Sequence, residues 1–319
     1  MSLVETRSSL DSRQGGSATA SNPPVSVEDA IVQTVAYVDG YDYPLTATEI
    51  HRYLIACPAE ATQVRAALAA PSLSEARLSR VGEYYTLPGR ESAAETRRLR
   101  EVEAARLWPE AIRYGRRIAG LPFVRMVAVT GSLAVNNVGS HIDIDYFIIT
   151  ADDYLWLCRA FVIGVVRLAA VRGITLCPNY FLSERALLLS DRNLYTAHEV
   201  AQMVPLSGAD QYTALREAND WTDDYLPNAS GLPDLPAPLR PPQPTAPSRR
   251  QAAIEALFRS ELGRRLERRL MEDKVAELQR EQADWDESAF TPDCCKGHFH
   301  LHKQQALDAY ETRVATTDL

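Results

Sequence analysis

The chain has 319 residues, of which 46% are apolar, and a formal net charge of -8. That length can bury a sizeable core and predicts two or three domains, while the acidic balance argues against a protein whose work is coating nucleic acid or an anionic membrane. Five cysteines, odd in number and thinly spread, do not form a disulfide framework, so a reducing compartment, the cytoplasm, is expected.

Residues 1–25 are rich in Ser, Gly, Thr and Asn, lack the apolar stretch of a signal peptide, and read as a disordered tail. Residues 26–90 then predict three short helices and a hairpin. "SVEDAIVQTVAYV" opens on a capping signature at Ser26, and "TATEIHRYLIAC" starts from Thr46 or Thr48. "EATQVRAALAA" follows Pro58, and "ARLSRVGEYYTLPGR" turns at Gly82. The order resembles a winged-helix-like domain. Its eight acidic against five basic side chains make a poor phosphate-binding face, so contact with a protein, or regulation, is expected in place of duplex DNA. Residues 92–118 mix Arg and Glu at helical spacing and predict a connecting helix, interrupted near Pro109.

The next units alternate: a strand "VRMVAVT", a loop from Gly131-Ser132, a strand "HIDIDYFIIT", a helix at 155–171 and a strand at 174–183. The helix is too short for a membrane span and carries Arg159 and Arg167, so it reads as buried, and no membrane contact is expected. "RNLYTAHEVAQMVPL" and "DQYTALREANDWTDDYL" read as helices, closing a domain over 91–226. Eight prolines between Pro227 and Pro247 mark a stiff linker over 227–248. Residues 249–319 form a C-terminal helical segment. A long helix over 249–283 has Ile254, Leu257, Phe258, Leu262, Leu266 and Leu270 recurring at three and four, and one more amphipathic helix follows near the end.

Asp143 and Asp145 stand two apart on a strand, so their side chains leave one face, while Ile142, Ile144 and Tyr146 take the other. Two carboxylates converging this way repel and raise each other's pKa. A divalent cation relieves them, and oxygen ligands suit magnesium or manganese. Gly131 permits a tight turn, and Ser132 offers a hydroxyl and a backbone N–H to an anion, phosphate above all. His141 shares the carboxylates' face; it either reaches a phosphate when protonated or ends the loop in solvent.

A Gly-Ser loop about a dozen residues before an Asp-x-Asp strand, with apolar strands on both sides, resembles the signature of the nucleotidyltransferase superfamily of the DNA polymerase beta type. The resemblance covers residues 105–185. "LYTAHEVAQMVPL" and "DCCKGHF" also resemble segments of bacterial proteins that carry such a domain. It implies an α/β (α+β) fold with a mixed sheet, flanked by the N-terminal winged-helix-like domain and the C-terminal helices. It implies that Asp143 and Asp145 hold magnesium or manganese and that Gly131 and Ser132 grip the outer phosphates of a nucleoside triphosphate. A hydroxyl of an acceptor, a protein or small molecule, would then take the nucleoside monophosphate, and pyrophosphate would leave.

The family's third carboxylate belongs on the strand "ITLCPNYFLSE", whose centre carries Asn179, an amide that ligates weakly and takes no proton at neutral pH. Glu184 lies five residues on, on the opposite strand face and about 16 Å away. Asp152 and Asp153 read as the start of the next helix. Two functions therefore stand: a metal-dependent nucleotidyltransferase with Asp143, Asp145 and Asn179 at its centre, and a regulatory module that binds nucleotide without turnover. Three weaker patterns read as structural. Cys294, Cys295, His298, His300 and His302 are dense enough to suggest zinc, yet adjacent cysteines do not easily serve one ion. Arg159 and Arg167 lie about 80° apart around their helix, and one of them facing the triphosphate competes with local pairing. The run at 259–269 interleaves Arg with Glu and Leu as a solvated helix face does.

Overall fold

The computed structural model describes residues 26–140, 142–234, 239, 247–281, 290–296 and 307–313. The tail at 1–25 and most of the proline-rich linker lie outside them. Helix α1 (Val27–Asp39) is capped by Ser26, whose side chain accepts from the Asp29 N–H. The two-residue strand β1 (Leu45–Thr46) leads into α2 (Ala47–Arg52), where Thr46, and not Thr48, forms a capping box with Glu49. Helices α3 (Ala61–Ala69) and α4 (Pro71–Ser74) precede the hairpin β2 (Ser79–Val81) and β3 (Tyr84–Thr86). The three strands form one sheet in the order β1-β3-β2.

Helix α5 (Ala93–Ala119) runs without a break through Pro109, contrary to the interruption expected there. Proline removes one backbone hydrogen bond. The turns around it are held by burial of Trp108, Ala111, Ile112 and Tyr114 against the sheet. Arg97 anchors the helix's first half. It is buried between the rings of Tyr43 and Tyr84, 4.4 and 4.7 Å from their centroids, and bonds both oxygens of Glu49 at 2.8 and 2.7 Å.

The second sheet has five strands in the order β7-β4-β5-β6-β8. Strand β4 (Val124–Thr130) pairs antiparallel with β5 (Ile144–Thr150), and the single turn α6 (Gly131–Ala134) follows β4. Helix α7 (Leu155–Ala170) crosses over from β5 to the parallel strand β6 (Leu176–Ser183). After α8 (Leu194–Gln202), residues Val204–Ser207 form the edge strand β7, where a continued helix was expected. Pro205 lacks an N–H, which ends the helix and is tolerated at a sheet edge. Helices α9 (Ala209–Ala218) and α10 (Thr222–Tyr225) complete this part.

Both faces of the sheet are covered, which explains the near-continuous apolar runs of β4 and β5. Met126, Ala128, Phe147 and Ile149 pack in one cluster with α1, α8 and the N-terminal helices. Val127, Val129, Ile144, Tyr146 and Ile148 pack with α5 and α7 in the other. One core thus joins the three-helix unit to the face of β5 that carries Asp145.

The C-terminal segment departs from the single helix expected over 249–283. It divides into α11 (Arg249–Phe258) and α12 (Glu261–Glu281). A Cβ on Gly263 would stand 1.7 Å from the Phe258 carbonyl oxygen, so the bend depends on glycine. The helices dock through Phe258, Leu270, Met271 and Val275 together with polar groups, while Ile254, Leu257, Leu262 and Leu266 are exposed. Glu255 accepts from the Phe123 N–H at 2.8 Å and from Arg125 at 2.9 Å, and Glu267 accepts from the N–H groups of Trp156 and Leu157. Strand β8 (Cys294–Lys296) closes the far edge against β6, and residues 307–313 are helical. No described helix is long and apolar enough to cross a membrane.

Replacing Glu255 by Ala leaves the Phe123 N–H unpaired and Arg125 with the Val124 carbonyl and one carboxylate, Glu184 at 3.6 Å. The expected cost is about 3 kcal/mol in urea unfolding. Arg259→Ala, which loses a more exposed partner of the same carboxylate at 3.5 Å, should cost under about 1 kcal/mol. Equal losses would refute this docking account.

Candidate functional site

Asp145 is the second residue of β5 and Asp143 lies just before it, so the pair sits where the strand begins. Ile144 and Tyr146 face the opposite side and are buried, whereas Ile142 is half exposed. Thr130, the last residue of β4, pairs in register with Asp145, and Gly131 comes next. At φ +64° Gly131 adopts a conformation that L side chains rarely take, and a Cβ there would meet the Asp145 Oδ2 at 2.3 Å. Glycine is what lets the loop lie against the carboxylate. Ser132 follows on the cavity wall, and its carbonyl accepts from the Asn137 N–H at 2.8 Å.

On the other side the parallel ladder sets Cys177 opposite Asp145 and Pro178 opposite Tyr146, then skips to Tyr180 opposite Phe147. Asn179 is the extra residue of this bulge. Its Nδ2 donates to the Asp145 Oδ1, and its Oδ1 accepts from the Cys177 thiol. The carboxylates of Asp143 and Asp145 and the Cys177 Sγ offer ligand atoms within 4.8 Å of one another.

These groups form the floor of a cavity of about 640 Å³, whose opposite wall comes from α1 and α8, with Tyr37, Tyr41, Tyr195, His198 and Glu199. Burial and the Asp143 charge push the Asp145 carboxyl up to about 7, against the hydrogen bond from Asn179. Burial, reinforced by Asp145, likewise raises Glu199 to about 7. His198 is pushed down to about 3 by burial, so it stays neutral, stacked on Tyr37 at 4.3 Å. Among the described residues that line the cavity there is no Lys or Arg. Lys296, the cation that acts on Glu199, is paired with Asp191.

The structure thus gathers Gly131, Ser132, Asp143, Asp145 and Asn179 into one cavity, while His141 lies outside the described residues. The alternative acids lie elsewhere: Glu184 pairs with Arg125 and accepts from Gln211 at 3.1 Å, and Asp152 and Asp153 both bind Arg185. Neither Arg159 nor Arg167 lines the cavity. Cys294 and Cys295 belong to opposite clusters of the sheet, so they do not converge on one ion; His298, His300 and His302 lie outside the described residues. Cys177, Glu199, Tyr37 of α1, Tyr41 just beyond it and Tyr195 of α8 went unread in the sequence. Cys177 shares the strand face of Asn179 by the two-residue period, which was a usable signal. Comparison of the chain with protein-family models, curated proteins and solved structures finds no match.

A carboxyl raised from 3.8 to about 7 favours the folded state while protonated. That stability is full below pH about 3.8 and is lost as pH rises through about 7. Asp145→Asn should therefore flatten the fall in the urea midpoint between pH 4 and 7, leaving the part due to Glu199 and Glu267, both also near 7. An unchanged slope would contradict the burial of this group.

Proposed function

We propose that the chain is a metal-dependent nucleotidyltransferase that moves a nucleoside monophosphate from a nucleoside triphosphate to a hydroxyl acceptor. One observation carries the reading: two carboxylates meet at the start of a central strand, on a glycine loop that admits no Cβ, in the floor of a large cavity. The donor set suits a divalent ion, since Asp143 and Asp145 repel each other and no Lys or Arg is among the described lining residues. Magnesium or manganese would be held by these two residues, and when bound would stabilise negative charge on the transferring phosphoryl group.

The chain's own residues divide the remaining work. The Gly131–Ser132 backbone and the Ser132 hydroxyl bind the outer phosphates. Asn179 holds Asp145 by its amide and takes no proton. Glu199, titrating near neutral pH, accepts the proton of the acceptor hydroxyl as its oxygen bonds to the α-phosphorus and the bond to pyrophosphate breaks. Tyr41 and Tyr195, which line the cavity, offer aromatic surface to a base or an acceptor. With no Lys or Arg among the described lining residues, the triphosphate brings counter-ions with it.

The N-terminal order of helices and strands, with sheet order β1-β3-β2, resembles a winged helix. Arg77 and Arg90 are paired with acids, while Arg52 and Arg80 donate to carbonyls. We therefore assign this unit to acceptor contact or control, with a protein or small molecule as acceptor in place of duplex DNA. The amide at Asn179 favours one further reading, a module that binds nucleotide without turnover.

Calorimetry should find nucleoside triphosphate binding only with magnesium or manganese present, and at least about tenfold weaker in Asp143→Asn. Pyrophosphate release in cell lysate as acceptor source should vanish in Asp145→Ala and fall about 10²- to 10⁴-fold in Glu199→Gln with nucleotide binding kept. Binding without release in the wild type would select the regulatory reading. Release that persists in the Asp143→Ala/Asp145→Ala variant would remove the catalytic assignment.

A further inference from the structure

We propose that the third ligand of this metal site is the Cys177 thiolate, and that the site takes a thiophilic divalent ion of the zinc class. This rests on the reading that Asp143 and Asp145 hold a divalent cation, and it departs from an all-oxygen site. Cys177 is placed by the backbone: seven paired positions between β5 and β6 set it opposite Asp145. Its sulfur lies with both carboxylates inside 4.8 Å, and ligands bound tetrahedrally to zinc at about 2.0–2.3 Å lie about 3.3–3.8 Å from each other. Small side-chain movements close that gap.

Asn179 is already committed. Its amide nitrogen holds Asp145 and so orients that ligand, while its oxygen takes the thiol hydrogen until the thiolate gives up that bond for the metal. A ligand-orienting amide accounts for the residue that stands where a third acid was expected. The other cysteines differ in setting: Cys158 and Cys295 are buried in an apolar cluster, whereas Cys177 lines the cavity among polar groups. Two carboxylate oxygens and one sulfur leave a fourth position toward the cavity, the pattern of a zinc site open to substrate. Sulfur is a poor donor for magnesium and a good one for zinc, cobalt or cadmium. Binding exchanges the thiol proton for the metal; the proton leaves to solvent and no electron moves. Magnesium or manganese accompanying a nucleotide is then a second ion, held by the carboxylate oxygens of Asp143 and Asp145 that the first ion leaves free.

Cobalt(II) added to the full chain, stripped of metal with a chelator, reads the sulfur directly through the thiolate-to-cobalt charge-transfer absorption. One equivalent should raise that band, zinc should abolish it, and excess magnesium should leave it. Cys177→Ser should lose the band and bind cobalt at least about tenfold more weakly, while Cys294→Ser/Cys295→Ser keeps it. Because Cys177→Ser alters a packed site, wild-type protein supplies a second reading: zinc should slow alkylation of Cys177, followed by peptide mapping, at least about tenfold, and magnesium should not. Manganese or cobalt bound at the carboxylates with no sulfur band and no protection would overturn the thiolate ligand and leave the metal reading intact. No divalent ion bound under any condition would overturn both.

Discussion

The contact between Gly131 and Asp145 is the constraint around which the rest of the molecule is arranged. A backbone turn and a carboxylate oxygen approach so closely that a single added carbon would lie 2.3 Å from that oxygen. The approach exists because β4 and β5 pair antiparallel, so that the loop leaving β4 starts beside the first residues of β5. Parallel addition of β6, made possible by the α7 crossover, then brings Cys177 and Asn179 to the same end of the sheet. Three adjacent strand ends supply one floor, and α1 and α8 supply the wall above it.

Elsewhere buried charged groups have hydrogen-bonding partners. Arg97 has Glu49 and Glu101, Arg125 has Glu255, and Glu267 has two backbone N–H groups. Burying such groups without partners is expensive, so those pairings are what ordinary structural packing demands. In the cavity Asp143, Asp145 and Glu199 instead share a space with no lining cation among the described residues. An acidic cavity of this kind is ready for cations, and for an anion only in their company.

The apolar runs of β4 and β5, the glycine after the first and the alternating carboxylates of the second are local features, so strand pairing and the two-residue period made them legible in the sequence. The mixed α/β architecture followed from the same runs. Other parts depend on contacts between distant segments. Cys177 shares the strand face of Asn179 by the two-residue period, but its place opposite Asp145 comes from the parallel register, which leaves no local mark. Glu199 and Tyr37 meet the site because α8 and α1 pack on one sheet face. Pro109 and Pro205 misled in opposite ways. The first sits inside a helix that burial sustains, and the second lies in an edge strand where the preceding helix pattern had promised continuation. In α11 and α12 the apolar spacing located the packed face only in part: Phe258 and Leu270 meet the core, whereas Ile254, Leu257, Leu262 and Leu266 are exposed and Gln251, Glu255 and Glu267 make the docking hydrogen bonds.

A crystal grown with manganese and a non-hydrolysable nucleoside triphosphate analogue tests the central claim most directly, through anomalous scattering of the ion. The account predicts an anomalous peak bonded to Asp143 and Asp145, with the outer phosphates against Gly131 and Ser132. A triphosphate seated away from that loop, or bound there with no manganese at the two carboxylates, would contradict it.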